Sequence, residues 1–204
     1  MLALFSKGEN MILDISNYNG VIDWQRVTNK NQIDRVILRG TTKRGELDTM
    51  CKRNHDALRA LRIPVDIYKF SYATDCESGF NECINLISKL RNAGINEYIE
   101  IWLDIENDGA TRWTKKRAYD VICGYLAALD MMDVTIDFGI YCNLDYFKTV
   151  IPDIFKLNID LWIARWTNGA LGLANTSRNI KLWQYTNKGK VEGITGDVDI
   201  SREV

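Results

Sequence analysis

Short runs with the period of a β-strand alternate with amphipathic helical stretches along almost all of this 204-residue chain. That alternation is the strongest constraint on its fold, because strand–helix–strand units set strands side by side in a parallel sheet with helices outside. The predicted strands are Met11–Ser16, Arg35–Gly40, Val65–Tyr72, Tyr98–Glu106, Phe138–Cys142, Leu161–Arg165, Lys181–Tyr185 and a short Val198–Ile200. Between them, stripes recur at the 3.6-residue helical period. One is Phe80, Cys83, Ile84, Ile87 and Leu90, closed by Gly94 just past the helix end. A second is Ala118, Val121, Ile122, Tyr125 and Leu129, opened by Thr114 as N-cap. A weaker third, Met50, Asn54, Ala57, Leu58 and Leu61, ends before Ile63-Pro64.

Eight strands suit a closed barrel. The last three are separated by segments poor in helical pattern, so the barrel is expected to be regular in its first half and irregular in its second. A doubly wound open sheet competes, but no G-x-G-x-x-G or Walker-type phosphate loop supports it. No repeat, low-complexity tract or linker divides the chain. Residues 11–204 are therefore read as one α/β domain, preceded by an extension over residues 1–10.

A formal net charge of -1, with acids and bases interspersed, gives no electrostatic reason to expect nucleic acid or an anionic membrane as partner. No apolar run approaches the length of a membrane span. The opening MLALFSKGENM has neither a basic n-region nor a small-residue cleavage site and does not read as a secretory signal. The five cysteines, Cys51, Cys76, Cys83, Cys123 and Cys142, are odd in number and lack a C-x-x-C pair, so they are read as buried or half-buried spectators. His55 is the only histidine and is expected at the flank of its helix, as a surface or boundary residue. Lys115-Lys116-Arg117 opens a helix and reads as a solvated face.

The chemistry is concentrated in Tyr98-Ile99-Glu100-Ile101-Trp102-Leu103-Asp104-Ile105-Glu106. Ile99, Ile101, Leu103 and Ile105 share one face of this strand, and Glu100, Trp102, Asp104 and Glu106 share the other. A strand inside a parallel sheet is ordinarily apolar on both faces. Here one face carries two carboxylates at its C-terminal end, where β/α barrels build active sites. Two acids at i and i+2 repel, so one is held protonated while the other ionises. Glycoside hydrolysis needs that division: a proton for the leaving oxygen and a charge for the oxocarbenium-like transition state. Asp14 and Asp199 also sit near strand ends. In a closed barrel the first and last strands are neighbours, so all four acids are expected in one cleft.

At these residues the sequence resembles glycoside hydrolase family 25, the Chalaropsis-type lysozymes common among bacterial autolysins and phage endolysins. The resemblance opens with Leu13-Asp14-Ile15-Ser16-Asn17-Tyr18-Asn19-Gly20 and Ile22-Asp23-Trp24. It continues through Val36-Ile37-Leu38-Arg39, Ile63-Pro64-Val65, Tyr68-Lys69-Phe70-Ser71-Tyr72-Ala73, Leu103-Asp104-Ile105-Glu106, Gly139-Ile140-Tyr141 and Leu161-Trp162-Ile163-Ala164-Arg165-Trp166. It closes with Leu182-Trp183-Gln184-Tyr185-Thr186, Gly193-Ile194-Thr195-Gly196 and Val198-Asp199-Ile200-Ser201. The family implies an irregular TIM-like (β/α)5β3 barrel. It also implies a muramidase that cuts the β-1,4 bond from N-acetylmuramic acid to N-acetylglucosamine in bacterial peptidoglycan.

Carried over by position, Glu106 matches the general acid, Asp104 its partner on the same strand, and Asp14 and Asp199 the remaining two active-site carboxylates. The resemblance implies that the substrate's own 2-acetamido group is the nucleophile, oriented by Asp104; a direct nucleophilic role for Asp104 stays open. Tyr72, Tyr141, Trp183 and Tyr185 are the aromatics favoured for sugar contact, with Gln184 beside them. Two segments depart from the family. Gly40-Thr41-Thr42-Lys43-Arg44-Gly45 replaces an A-T-E-G or A-G-Y-G type stretch, and Lys69 stands where His or Trp is usual. Both are expected at the cleft rim and bear on subsite preference.

No metal or cofactor is expected, since one histidine and no H-x-H or H-E-x-x-H spacing leave only an all-oxygen Mg²⁺ or Ca²⁺ site open. A sugar-binding barrel without turnover is the other alternative, and the presence of both Asp104 and Glu106 weighs against it. The protein is expected to act as a monomer on glycan strands of the bacterial wall, made in the cytoplasm and reaching the wall by phage-type release or from outside the cell.

Overall fold

The computed structural model describes residues 11–109, 112–133, 136–156, 158–167, 170–171 and 179–204. Eight strands close into a barrel in the order of the sequence: β1 (Met11–Ile15), β2 (Ile33–Arg39), β3 (Val65–Phe70), β4 (Glu100–Asp104), β5 (Asp137–Asn143), β6 (Asp160–Ala164), β7 (Ile180–Gly189) and β8 (Val198–Glu203). Around it lie α1 (Trp24–Lys30), α2 (Cys51–Ala60), α3 (Cys76–Asn92), α4 (Lys115–Met131) and the short α5 (Leu144–Thr149) and α6 (Asp153–Lys156). This is the irregular (β/α)5β3 barrel expected above. The extension over residues 1–10 lies outside the described residues. Among the described residues, no helix is long and apolar enough to cross a membrane.

One strand runs against the expectation of a parallel sheet. β1 to β7 pair in parallel, but β8 is antiparallel to both β7 and β1. Only residues 190–197 join β7 to β8. A parallel crossover needs a dozen residues or more, so the chain turns back as a hairpin.

Helix limits follow the local signals. The Thr114 side chain accepts from the Arg117 N–H at the start of α4. Gly94, at φ 71°, ends α3, and the Gly94 and Ile95 N–H groups return to the Arg91 and Leu90 carbonyls. The Lys115-Lys116-Arg117 run divides: both lysines are exposed, but Arg117 is buried over the Trp113 ring, 3.9 Å from its centroid, and its Nε donates to the Ala73 carbonyl. His55 is also buried, contrary to expectation, because the Glu97 carbonyl lies 2.9 Å from its Nε2. Cys76 is the one described cysteine that is exposed; Cys51, Cys83 and Cys142 are buried and Cys123 is half-buried.

Two apolar layers hold the fold. The outer layer lies between sheet and helices and includes Ile101, Leu103 and Ile105 of the apolar face of β4. The inner layer fills the barrel with Ile12, Ile37, Trp102, Trp162 and Leu182. The Trp102 and Trp162 rings meet edge to face at 5.7 Å. Gly139 is dictated by that packing, since a Cβ there would come within 2.4 Å of Trp102 ring carbons. Below the rings, Asp66 accepts from the Trp102 indole N–H and from Arg35, both at 3.1 Å. Glu100 accepts from Lys181 at 2.8 Å. Alternation therefore assigned Glu100 to the correct face, but the strand carries it to the opposite end of the barrel from Asp104.

Burial raises the Glu100 carboxyl to about 7, with Lys181 opposing. The folded chain then holds a proton that the unfolded chain releases near pH 4.5, so this group makes stability fall as pH rises from about 4.5 to 7. Glu100→Gln is expected to flatten that part of the slope and to leave the variant at least as stable as wild type at pH 8. Melting curves from pH 4.5 to 8 decide it; an unchanged slope would acquit Glu100.

Candidate active site

Four carboxylates meet at one mouth of the barrel. Asp14 is the fourth residue of β1, Asp104 the last of β4, Glu106 stands two residues beyond it, and Asp199 is the second residue of β8. Because β8 runs antiparallel, Asp199 reaches this mouth from the beginning of its strand, and it pairs in register directly with Asp14. All four line one cavity of about 480 Å³, with Tyr18, Arg39, Tyr68, Phe70, Tyr72 and Tyr141 among its walls. A larger open groove, about 900 Å³, lies between α1, α2 and residues 191–195. None of the four carboxylates reaches it, so volume alone does not mark the site.

The backbone around the acids is tied down. The Trp113 indole N–H holds the Glu106 carbonyl at 2.7 Å, and the Ile105 N–H donates to the Tyr141 carbonyl. Gln184 is buried beneath the acids: it accepts from the Tyr141 hydroxyl at 3.0 Å and from the Trp166 indole at 2.9 Å, and its amide donates to Asp14 at 3.4 Å. Arg39 enters from β2, held by Asp48 at 2.7 Å and by Asn17. Its guanidinium also lies 4.9 Å from the centroid of the exposed Tyr18 ring.

These surroundings push every acid of the cluster upward. Asp14 is raised well above the usual carboxylate range by burial, then by Asp199 and Glu106, with Arg39 opposing. Asp104 is raised by burial, then by Glu106 and Asp14, with Lys69 opposing. Glu106 is raised by burial and by Asp199, against a hydrogen bond from Tyr141. Asp199 rises to about 6 through burial and Asp197. Such a set titrates as a unit and keeps a proton near neutrality, as a general acid requires. Asp104 is buried, and its Oδ1 finds no hydrogen-bond partner among the described residues.

The aromatic expectations divide. Tyr72 and Tyr141 line the cavity; Trp183, Gln184 and Tyr185 do not. On β7, Leu182 and Gln184 point inward, so alternation sends Trp183 and Tyr185 outward. There Trp183 is buried with its N–H on the Arg165 carbonyl, and Arg202 covers both rings. Thr41 and Thr42 line the cavity as expected of a rim. Lys69 does not: it is buried behind the wall. Arg39, Tyr68 and Phe70 were missed as wall residues. Inward alternation along β2 and β3, extended from Ile37 to Arg39 and from Tyr68 to Phe70, would have found them.

The chain belongs to glycosyl hydrolases family 25, whose profile matches residues 13–194. Among solved structures, the modular autolysin LytC from Streptococcus pneumoniae, in complex with a synthetic peptidoglycan ligand, is similar at a TM-score of 0.82 and 27% identity. The likeness covers 94% of this chain and 46% of that one, so the chain spans less than half the length of LytC. The catalytic domain of the endolysin ply40 from bacteriophage P40 of Listeria monocytogenes shares the fold at a TM-score of 0.75 and 21% identity, covering 98% of this chain and 95% of that one. The lysozyme from Streptomyces coelicolor shares it at 0.76 and 18%, covering 97% and 93%. No curated protein sequence matches the chain.

Proposed function

We propose that the chain is a muramidase, hydrolysing the β-1,4 bond from N-acetylmuramic acid to N-acetylglucosamine in bacterial peptidoglycan. The observation that carries this reading is the convergence of Asp14, Asp104, Glu106 and Asp199 on one cavity with aromatic walls, in a member of glycosyl hydrolases family 25. Glu106, raised by burial, protonates the glycosidic oxygen as the bond breaks. The unpartnered Oδ1 of Asp104 is available to the N–H of the substrate's 2-acetamido group, whose carbonyl oxygen then attacks the anomeric carbon. Glu106, now ionised, takes the proton from the water that opens the resulting ring. The Asp199 charge adds to burial in raising the Glu106 carboxyl, and Asp14 stands in register beside Asp199. Tyr72 and Tyr141 offer ring surface and hydroxyls to the sugars.

In this reading the domain is residues 11–204, acting as a monomer at the bacterial wall, with phage-type release or an extracellular origin bringing it there. The reading invokes no metal, and among the described residues no group of three or more His, Cys, Asp or Glu is arranged to hold one. Mass analysis of digested peptidoglycan tests the bond, and the new reducing end should be N-acetylmuramic acid. The same digestion is expected to proceed at an unchanged rate after exhaustive EDTA treatment. A reducing N-acetylglucosamine would overturn the bond assignment, and activity lost to EDTA and restored by a divalent cation would overturn the metal-free mechanism.

A further inference from the structure

Lys69 is 2% exposed, although lysine is almost never fully buried. Its neighbours Tyr68 and Phe70 face the cavity, so its own side chain leaves β3 on the other side, between the sheet and α3. There Nζ donates to the Thr42 carbonyl at 3.1 Å and lies 3.6 Å from Oε1 of Glu82 on α3. That same Glu82 oxygen accepts the backbone N–H of Tyr72 at 3.0 Å, and its other oxygen accepts the Tyr125 hydroxyl of α4 at 2.9 Å. The Tyr72 ring centroid lies 5.1 Å from the Lys69 ammonium. Thr41, Thr42, Lys43, Phe70 and Tyr72 together form one wall of the cavity.

We propose that Lys69 is a positioning residue for the substrate: its buried ammonium, with Glu82, ties the Thr41–Lys43 segment and Tyr72 to α3 and so sets affinity for the glycan rather than the rate of bond cleavage. Burying an ion pair is costly, and well-packed apolar side chains of similar volume often serve stability as well or better. What an apolar side chain would lack here is a donor for the Thr42 carbonyl. Lys69 touches neither Glu106 nor the cavity; its charge opposes the rise of the Asp104 carboxyl from a distance, while its contacts hold the wall, whose loosening weakens ground state and transition state alike. Such uniform binding appears in KM and leaves kcat alone.

The inference rests on the muramidase reading, and its test separates the two. Turnover and calorimetric binding of a soluble glycan of alternating N-acetylglucosamine and N-acetylmuramic acid are measured for wild type, Lys69→Met and Lys69→Met/Glu82→Gln. Both variants are expected to raise KM and Kd about tenfold with kcat within about threefold of wild type. The single variant, with Glu82 left without its cation, should melt lower; the uncharged double variant should melt near or above wild type while its affinity stays low. A folded double variant with KM and Kd within about twofold of wild type, or with kcat falling as far as KM rises, would overturn the role. Failure of both variants to fold would overturn it too, by making the pair a requirement of the fold. Wild-type binding without turnover would refute the muramidase reading, while the Kd comparison would still decide the role of Lys69.

Discussion

Glu106→Gln is expected to lower hydrolysis of bacterial cell walls by about 10²–10⁴-fold, the range a positioned general acid contributes, with the fold intact. Glutamine keeps the shape of the side chain and its capacity to hydrogen-bond, but it has no acidic proton to give the leaving sugar. The backbone at this position is held independently, by the Trp113 indole on the Glu106 carbonyl, so the substitution should not move the strand end. Removing one acid from a mutually repelling set should also ease the set: Glu106 raises Asp14 and Asp104, and without its charge both carboxyls titrate lower. The measurement is turnover of purified, folded variant on cell walls, with near-ultraviolet circular dichroism as the folding control. Near-normal activity would remove Glu106 from the role of general acid.

Much of this site was legible because its residues obey short-range periods. Period-two alternation in the segment ending at Glu106 separates the acids from Ile101, Leu103 and Ile105, and barrel closure brings Asp14 to Asp199; both are rules of geometry that need no knowledge of neighbours. The direction of β8 was legible only indirectly, in the shortness of the segment 190–197 that precedes it. Burial of single polar residues was not legible at all. His55 is inside because a carbonyl 42 positions away, on Glu97, meets its ring. Arg117 is inside because Trp113 and the Ala73 carbonyl receive its two faces. Trp183 and Tyr185 lie outside the cavity for a related reason: an aromatic beside a strand end suits a sugar platform and an outer packing layer equally, and only the parity of β7 decides between them. Lys69 shows the converse, a charged residue whose partners, Thr42 and Glu82, come from separate elements.

Asp104→Asn is expected to separate activity from stability, losing the first and gaining the second. Its carboxyl is buried, lies among Glu106, Asp14 and Asp199, and is held well above the ordinary carboxylate range by burial first and those charges second. A folded-state carboxyl raised in this way binds a proton that the unfolded chain releases at about pH 4, so ionising it costs stability that grows as pH rises above that value. Asparagine removes the cost at nearly constant volume. The melting temperature of the variant should therefore exceed that of wild type at pH 8, and the difference should shrink as the pH is taken down toward 4. Activity should fall by about 10²–10³-fold, the usual consequence of deleting one preorganised electrostatic partner of a transition state. Asparagine can still offer its carbonyl oxygen to the acetamido N–H but lacks the charge that steadies the developing oxazolinium. Intact-mass analysis during turnover distinguishes this role from direct attack: with the acetamido group as nucleophile, no glycosyl ester forms on Asp104. A trapped ester at that residue would overturn the orienting role, and a variant that melts below wild type at pH 8 would overturn the electrostatic account of the cluster.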